Sequence, residues 1–145
     1  MTGERDFELL RRGAVGVVVR EQRFLVIRRS RFVSAPRTFC FPGGHIETGE
    51  SEELALQREL WEELGCVVRP LRRLWQNVST RRVQLHWWLA EITTDDPLRP
   101  RAEEVESVHW LTSAEMLALP ELLDSNRQFL AAWMGGEFAI DGLER

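Results

Sequence analysis

The chain has 145 residues, 43% apolar and 29% charged, with a formal net charge of −4. That length suits one well-formed core and is too short for two, so residues 1–145 read as a single domain. The acid excess offers no basic footprint for a nucleic-acid polymer, no apolar run reaches the roughly 18 residues that cross a membrane, and no signal-peptide pattern opens the chain. Two cysteines, Cys40 and Cys66, are too few for a disulfide scaffold and read as free thiols of a reducing cytoplasm. All 19 basic residues are Arg and Tyr is absent, a bias that fits genome composition better than function.

In chain order, Gly13–Arg20 and Phe24–Arg29 read as strands joined by a polar turn at Glu21-Gln22. A loop over residues 30–38, carrying Ser34, Pro36 and two Arg, leads into a short extended segment at Phe39–Phe41. Phe41-Pro42-Gly43-Gly44 and Thr48-Gly49-Glu50 then form a glycine-rich loop, where the backbone can approach a ligand closely. A helix follows. Ser51 caps it, Glu52 and Glu53 complement its positive end, and Gly65 suits the left-handed position past its last turn. Leu56, Leu60 and Leu64 recur every four residues, with Leu54 and Trp61 widening the stripe.

On that helix Glu59, Glu62 and Glu63 fall at i, i+3 and i+4, on one face about 100° wide. Like charges so spaced destabilise a helix by a few tenths of a kcal/mol per pair, and a bound cation reverses that sign. Carboxylates without His or thiolate partners suit Mg²⁺ or Mn²⁺ and not zinc. By itself the run also fits a solvated acidic face; the glycine loop before it favours the metal reading, with a loop carbonyl completing the shell.

Beyond the helix, Val67–Val78 and Val83–Thr93 form an expected antiparallel pair around Ser79-Thr80. Trp87 and Trp88, being adjacent, must face opposite sides of their sheet. The proline-rich stretch 94–101 is a loop, and Val105–Leu111 a further strand. Ser113 is expected to cap a short helix through Leu119, and Pro120 to begin a last helix running to about Met134. Gly135-Gly136 ends it, and the remaining residues read as a loose tail. His45, His86 and His109 share no ligand-like spacing. Trp75, Trp87 and Trp88 fit core packing better than base stacking. Strands interleaved with few helices point to an α+β class with a mixed sheet.

The segment 44–66 resembles the Nudix hydrolase family. The family's box is met by Gly44, by Glu50 after five intervening residues, and after seven more by Arg58, Glu59, Leu60, Glu62, Glu63, Gly65 and Cys66. Cys66 is the one weak match, where a larger apolar residue is usual. The resemblance implies a Nudix-type α/β/α sandwich with a catalytic loop-helix-loop, and Mg²⁺- or Mn²⁺-dependent hydrolysis of a nucleoside diphosphate linked to a group X. It implies Glu59, Glu62, Glu63 and the Gly43 carbonyl as metal ligands. Arg58 then holds a glutamate in place, and Gly44 and Glu50 fix the loop. Water activation falls to Glu59 or to a glutamate outside the box, Glu104, with Glu103 and Glu106 as competitors.

Within the family, a proline marks ADP-ribose enzymes at the position of Arg81, and a tyrosine nearby marks dinucleoside polyphosphate enzymes. Neither is present. The MutT-like branch, cutting nucleoside triphosphates to monophosphate and pyrophosphate, fits better. Arg29 matches its substrate-contacting arginine, and Asn126 falls within one residue of its base-reading asparagine. The expected partner is a small-molecule nucleotide, with no nucleic-acid polymer and no membrane; monomer and homodimer both stay open. Other Nudix pyrophosphatases (nucleotide-sugar or dinucleotide type) and a non-catalytic nucleotide-binding module are the alternatives.

Overall fold

A computed structural model describes residues 10–145, so residues 1–9 of the expected domain lie outside the described part. Its elements in order are β1 (Arg11–Val17), β2 (Val19–Arg20), β3 (Arg23–Arg29), β4 (Phe39–Cys40), β5 (Gly43–His45), α1 (Glu52–Leu64), β6 (Val68–Val78), β7 (Val83–Ile92), β8 (Val105–Leu111), α2 (Ser113–Leu117) and α3 (Asp124–Met134). One sheet has the order β5-β1-β7-β6, with β1 and β7 parallel and the other pairs antiparallel. In the second sheet β3 pairs with β8 along one edge and with β2 and β4 along the other.

Strand alternation splits the core in two. Leu25, Ile27 and Ala90 pack under Ala55, Leu56, Leu60 and Leu64 of α1. Phe24, Val26, Trp87 and Leu89 face the other way, toward Phe129, Leu130 and Trp133 of α3. The adjacent tryptophans do part company, Trp87 fully buried and stacked on Phe129 at 4.7 Å, Trp88 donating from Nε1 to Glu52 on the α1 side at 2.9 Å. Helices thus cover both faces of a mixed β-layer, the α/β/α arrangement expected of the α+β class. Among the described residues no helix is long and apolar enough to cross a membrane.

Several boundaries differ from expectation, each for a tertiary reason. The strand expected over Gly13–Arg20 breaks at Val18, because β1 belongs to one sheet and β2 to the other. Thr112, not Ser113, caps α2, in a reciprocal capping box with Glu115. Pro120 does not begin the last helix. Residues 121–123 lie extended beside Phe39, whose N–H donates to Glu121 O and whose carbonyl accepts from Leu123 N–H, both at 2.9 Å. Nor is the C-terminal tail loose: Ile140 is buried, Phe138 and Leu143 pack beside it, and Arg72 donates to the Ala139 carbonyl at 2.8 Å.

Candidate active site

The helix α1 begins and ends as its sequence dictates. The Ser51 side chain accepts from Leu54 N–H, and Gly65 closes the helix at φ 64° while donating to Trp61 O. Leu56, Leu60 and Leu64 are buried, which turns Glu59 and Glu63 toward β5, whereas Leu54 and Trp61, expected to widen the stripe, are exposed. That short strand was not expected, since two consecutive glycines read as loop. Both glycines are required by close approach. A Cβ on Gly43, at φ +154°, would sit 2.2 Å from the Ala14 carbonyl oxygen, and one on Gly44 would sit 2.3 Å from the Glu59 carboxyl carbon. The missing side chains let two carboxylates press against the backbone: Glu63 accepts from Gly43 N–H at 2.9 Å, and Glu59 lies against Gly44.

Arg58 binds the loop to the helix. Its guanidinium holds Glu50 through two bonds, Nε to Oε2 at 2.7 Å and Nη2 to Oε1 at 2.9 Å, a bidentate fork. It also donates to the His45 carbonyl at 2.9 Å, to Glu59 at 3.0 Å and to Glu62 at 3.3 Å. The Arg58 bonds and the Glu47 N–H hold the Glu50 carboxyl down at about 2.

Opposite charge dominates at Glu50; burial dominates at its neighbours. Glu59 is pushed up by desolvation, with Arg58 opposing and the charges of Glu62 and Glu104 adding. Desolvation carries Glu63 from its ordinary 4.5 to about 8, the Gly43 N–H opposing and the Glu59 and Glu104 charges adding. A group raised in the folded state favours folding below its unfolded value and loses that contribution as pH climbs through the folded one. The metal-free protein is therefore expected to lose thermal stability between about pH 4.5 and 8 on account of Glu63. Melting curves of wild type and Glu63→Gln across that window check this; identical slopes would contradict it.

Arg29, Gly43, Gly44, Glu59, Glu63, Glu104 and Asn126 all line one open cavity of about 700 Å³. Glu50, Arg58 and Glu62 do not. Glu62 leans out to Arg58 with its side chain 39% exposed. The three glutamates considered beside β8 are sorted by the fold: Glu104 lines the cavity, Glu106 pairs with Arg28 and Arg37, and Glu103 is tied to Arg101. Arg29 is anchored by the 30–38 loop, donating to Ser34 O at 2.7 Å and Ser34 Oγ at 3.1 Å. Asn126 is buried, and its Oδ1 accepts from Phe41 N–H at 2.9 Å. Its acceptor is thus committed to the backbone, which leaves only Nδ2, 3.4 Å from Ser125 Oγ, to face the cavity.

Residues 33–36, Ser79, Thr80, Arg81 and Asp124 also line the cavity and were not expected at the site from sequence. The one local signal was backbone strain invisible in sequence, positive φ at Ala35 (49°), Arg37 (60°) and Arg82 (62°).

The donor set suits a hard divalent cation: buried carboxylate oxygens, raised by burial and mutual repulsion, with backbone close at hand. Among the described residues no three His, Cys, Asp or Glu side chains surround one point as they stand. Arg58 draws Glu59 and Glu62 aside, so a cation held by those carboxylates would require them to turn from the guanidinium.

A two-faced α/β/α sandwich, with an acidic helix packed under a Gly-Gly strand that lines a cavity of about 700 Å³, defines the class. The family model described as the NUDIX domain matches residues 10–133, and the chain belongs to that family. It is 32% identical over 108 residues to an NAD-capped RNA hydrolase, NudC, of Chromobacterium violaceum, covering 74% of this chain and only 40% of that protein. It is 27% identical over 110 residues to the phosphatase NudJ of Escherichia coli, covering 73% and 71%. Among solved structures, a MutT protein of Methanosarcina mazei superposes with TM-score 0.74 at 20% identity, over 88% of this chain and 95% of that one. A Nudix hydrolase of Nitrosomonas europaea gives 0.72 at 18% identity, over 94% and 97%.

Proposed function

We propose that the protein is a Mg²⁺- or Mn²⁺-dependent hydrolase of a nucleoside diphosphate linked to X, acting as a MutT-like pyrophosphohydrolase that releases nucleoside monophosphate and pyrophosphate from a triphosphate. One observation carries the reading: Glu59, Glu63 and Glu104 converge on the inner wall of a single cavity whose volume suits a nucleotide. Glu59, Glu62, Glu63 and the Gly43 carbonyl are the groups that would hold the cation, which supplies charge neutralisation and a more acidic water. Arg58 fixes the loop through Glu50 and holds Glu59 and Glu62 where a bound cation would compete for them. Glu59 or Glu104 accepts the proton of the attacking water. Arg29, held by Ser34, presents its remaining N–H groups to the phosphates. Asn126 contributes a single amide donor toward the base.

A panel of nucleoside triphosphates, nucleotide sugars, ADP-ribose and NAD with Mg²⁺, scored for pyrophosphate or monophosphate release, tests this. Pyrophosphate from a triphosphate is the expected dominant product. Release of two monophosphates from NAD alone would move the protein toward the activity named for the NudC relative. Nucleotide binding with no turnover of any substrate would leave a binding module.

A further inference from the structure

We propose that Arg81 reads an additional phosphate of the substrate, beyond the two that the carboxylate end handles. This rests on the function proposed above and narrows its X to a phosphate-bearing group.

The cavity is polarised. Glu59, Glu63 and Glu104 make part of the lining acidic, and Gly13, Val15, Val83 and Leu85 add an apolar stretch. Strand register sets the carboxylate end at Gly43 beside Val15, and Arg81 beyond Val83, toward the Arg11 end of β1. The turn that carries Arg81 is pinned at both ends. Ser79 N–H donates to Val83 O at 2.9 Å, Arg82 N–H donates to Ser79 O at 2.9 Å, and the Ser79 hydroxyl accepts from Val83 N–H at 3.2 Å. The Arg81 backbone is thus fixed beside the cavity while its side chain is exposed. Arg11 lies on the neighbouring strand, outside the lining. It is in register with Val83, and strand alternation sets it on the face of Gly13 and Val15, which line the cavity.

Arg81 differs in commitment from most arginines nearby; Arg82, also without a side-chain partner among the described residues, lies outside the lining. Arg12 and Arg73 are tied to Glu52, Arg58 to Glu50, and Arg29 to Ser34. Among the described residues Arg81 and Arg11 make no ion pair and no side-chain hydrogen bond. A guanidinium left free at the rim of a cavity that takes an anionic ligand is a fork waiting for phosphate oxygens. The third phosphate of a nucleoside triphosphate and the phosphodiester that follows a nucleoside in a chain share this chemistry. A nucleotide sugar with an uncharged X lacks it.

The test compares wild type, Arg81→Ala and Arg81→Lys on three substrates: a nucleoside triphosphate, a nucleotide sugar with uncharged X, and a dinucleotide pyrophosphate bearing a 3′-phosphate. For Arg81→Ala, KM on the phosphate-bearing substrates should rise about tenfold more than KM on the nucleotide sugar, with part of the loss restored by Lys. Which of the two phosphate-bearing substrates suffers more tells the sources apart. Equal losses on all three substrates, or none, would overturn the proposal. Calorimetric binding of inorganic tripolyphosphate separates this inference from its parent. If wild type hydrolyses nothing, the proposed function fails, and Arg81→Ala must still weaken tripolyphosphate binding for this inference to survive; unchanged binding overturns it.

Discussion

Glu63→Gln is expected to cut turnover by about two orders of magnitude or more while the fold holds. The amide keeps a carbonyl oxygen where Glu63 accepts from Gly43 N–H, so the link between α1 and β5 survives. What disappears is a negative charge on the cavity wall, at the place proposed to hold the cation. Loss of that charge also relieves repulsion from Glu59 and Glu104, so the variant should melt no lower than wild type at pH 8 without metal. Steady-state rates with saturating Mg²⁺, read beside a melting curve, check both halves. Near-wild-type turnover would remove Glu63 from the site.

Gly44→Ala should be comparably damaging by a different route. The added Cβ would fall 2.3 Å from the Glu59 carboxyl carbon and 2.4 Å from its Oε2. Because the obstructed atoms end a flexible side chain, the helix and strand need not part; the carboxylate swings aside instead. Displacing a positioned group by about 1 Å is enough to cost on the order of a hundredfold in rate. The substitution is therefore expected to reduce turnover about a hundredfold with a folded protein and weakened Mg²⁺ binding, measured by metal titration of the rate. Full activity would mean that Glu59 does not need its present place against the backbone.

How much of this was legible in sequence depends on the range of the interactions involved. The limits of α1 were readable because Ser51, Glu52, Glu53 and Gly65 act on their own neighbours. The Arg58–Glu50 fork lay within one motif at short separation and was readable as a likeness to a family. Contacts between distant segments were not. Nothing local in Pro120-Glu121-Leu122 says that Phe39 will hold it extended, and nothing in the run of valines after Gly13 says that the strand changes sheets at Val18. For the same reason sequence named Glu104 but left Glu103 and Glu106 as competitors, whereas in the fold only Glu104, whose carbonyl accepts from Ser30 N–H at 3.0 Å, lines the cavity. Asn126 was expected either to meet a base or to sit on a polar helix face; it is buried, with its oxygen engaged by Phe41 from a segment 85 residues away.

The central claim is that buried carboxylates on α1 act only through a divalent cation. Hydrolysis of a nucleoside triphosphate, followed first in excess chelator and then on adding back Mg²⁺ or Mn²⁺, tests it most directly. The expected result is no turnover in chelator and full recovery on metal addition, with the same titration failing to restore Glu63→Gln. Undiminished turnover in excess chelator would contradict it.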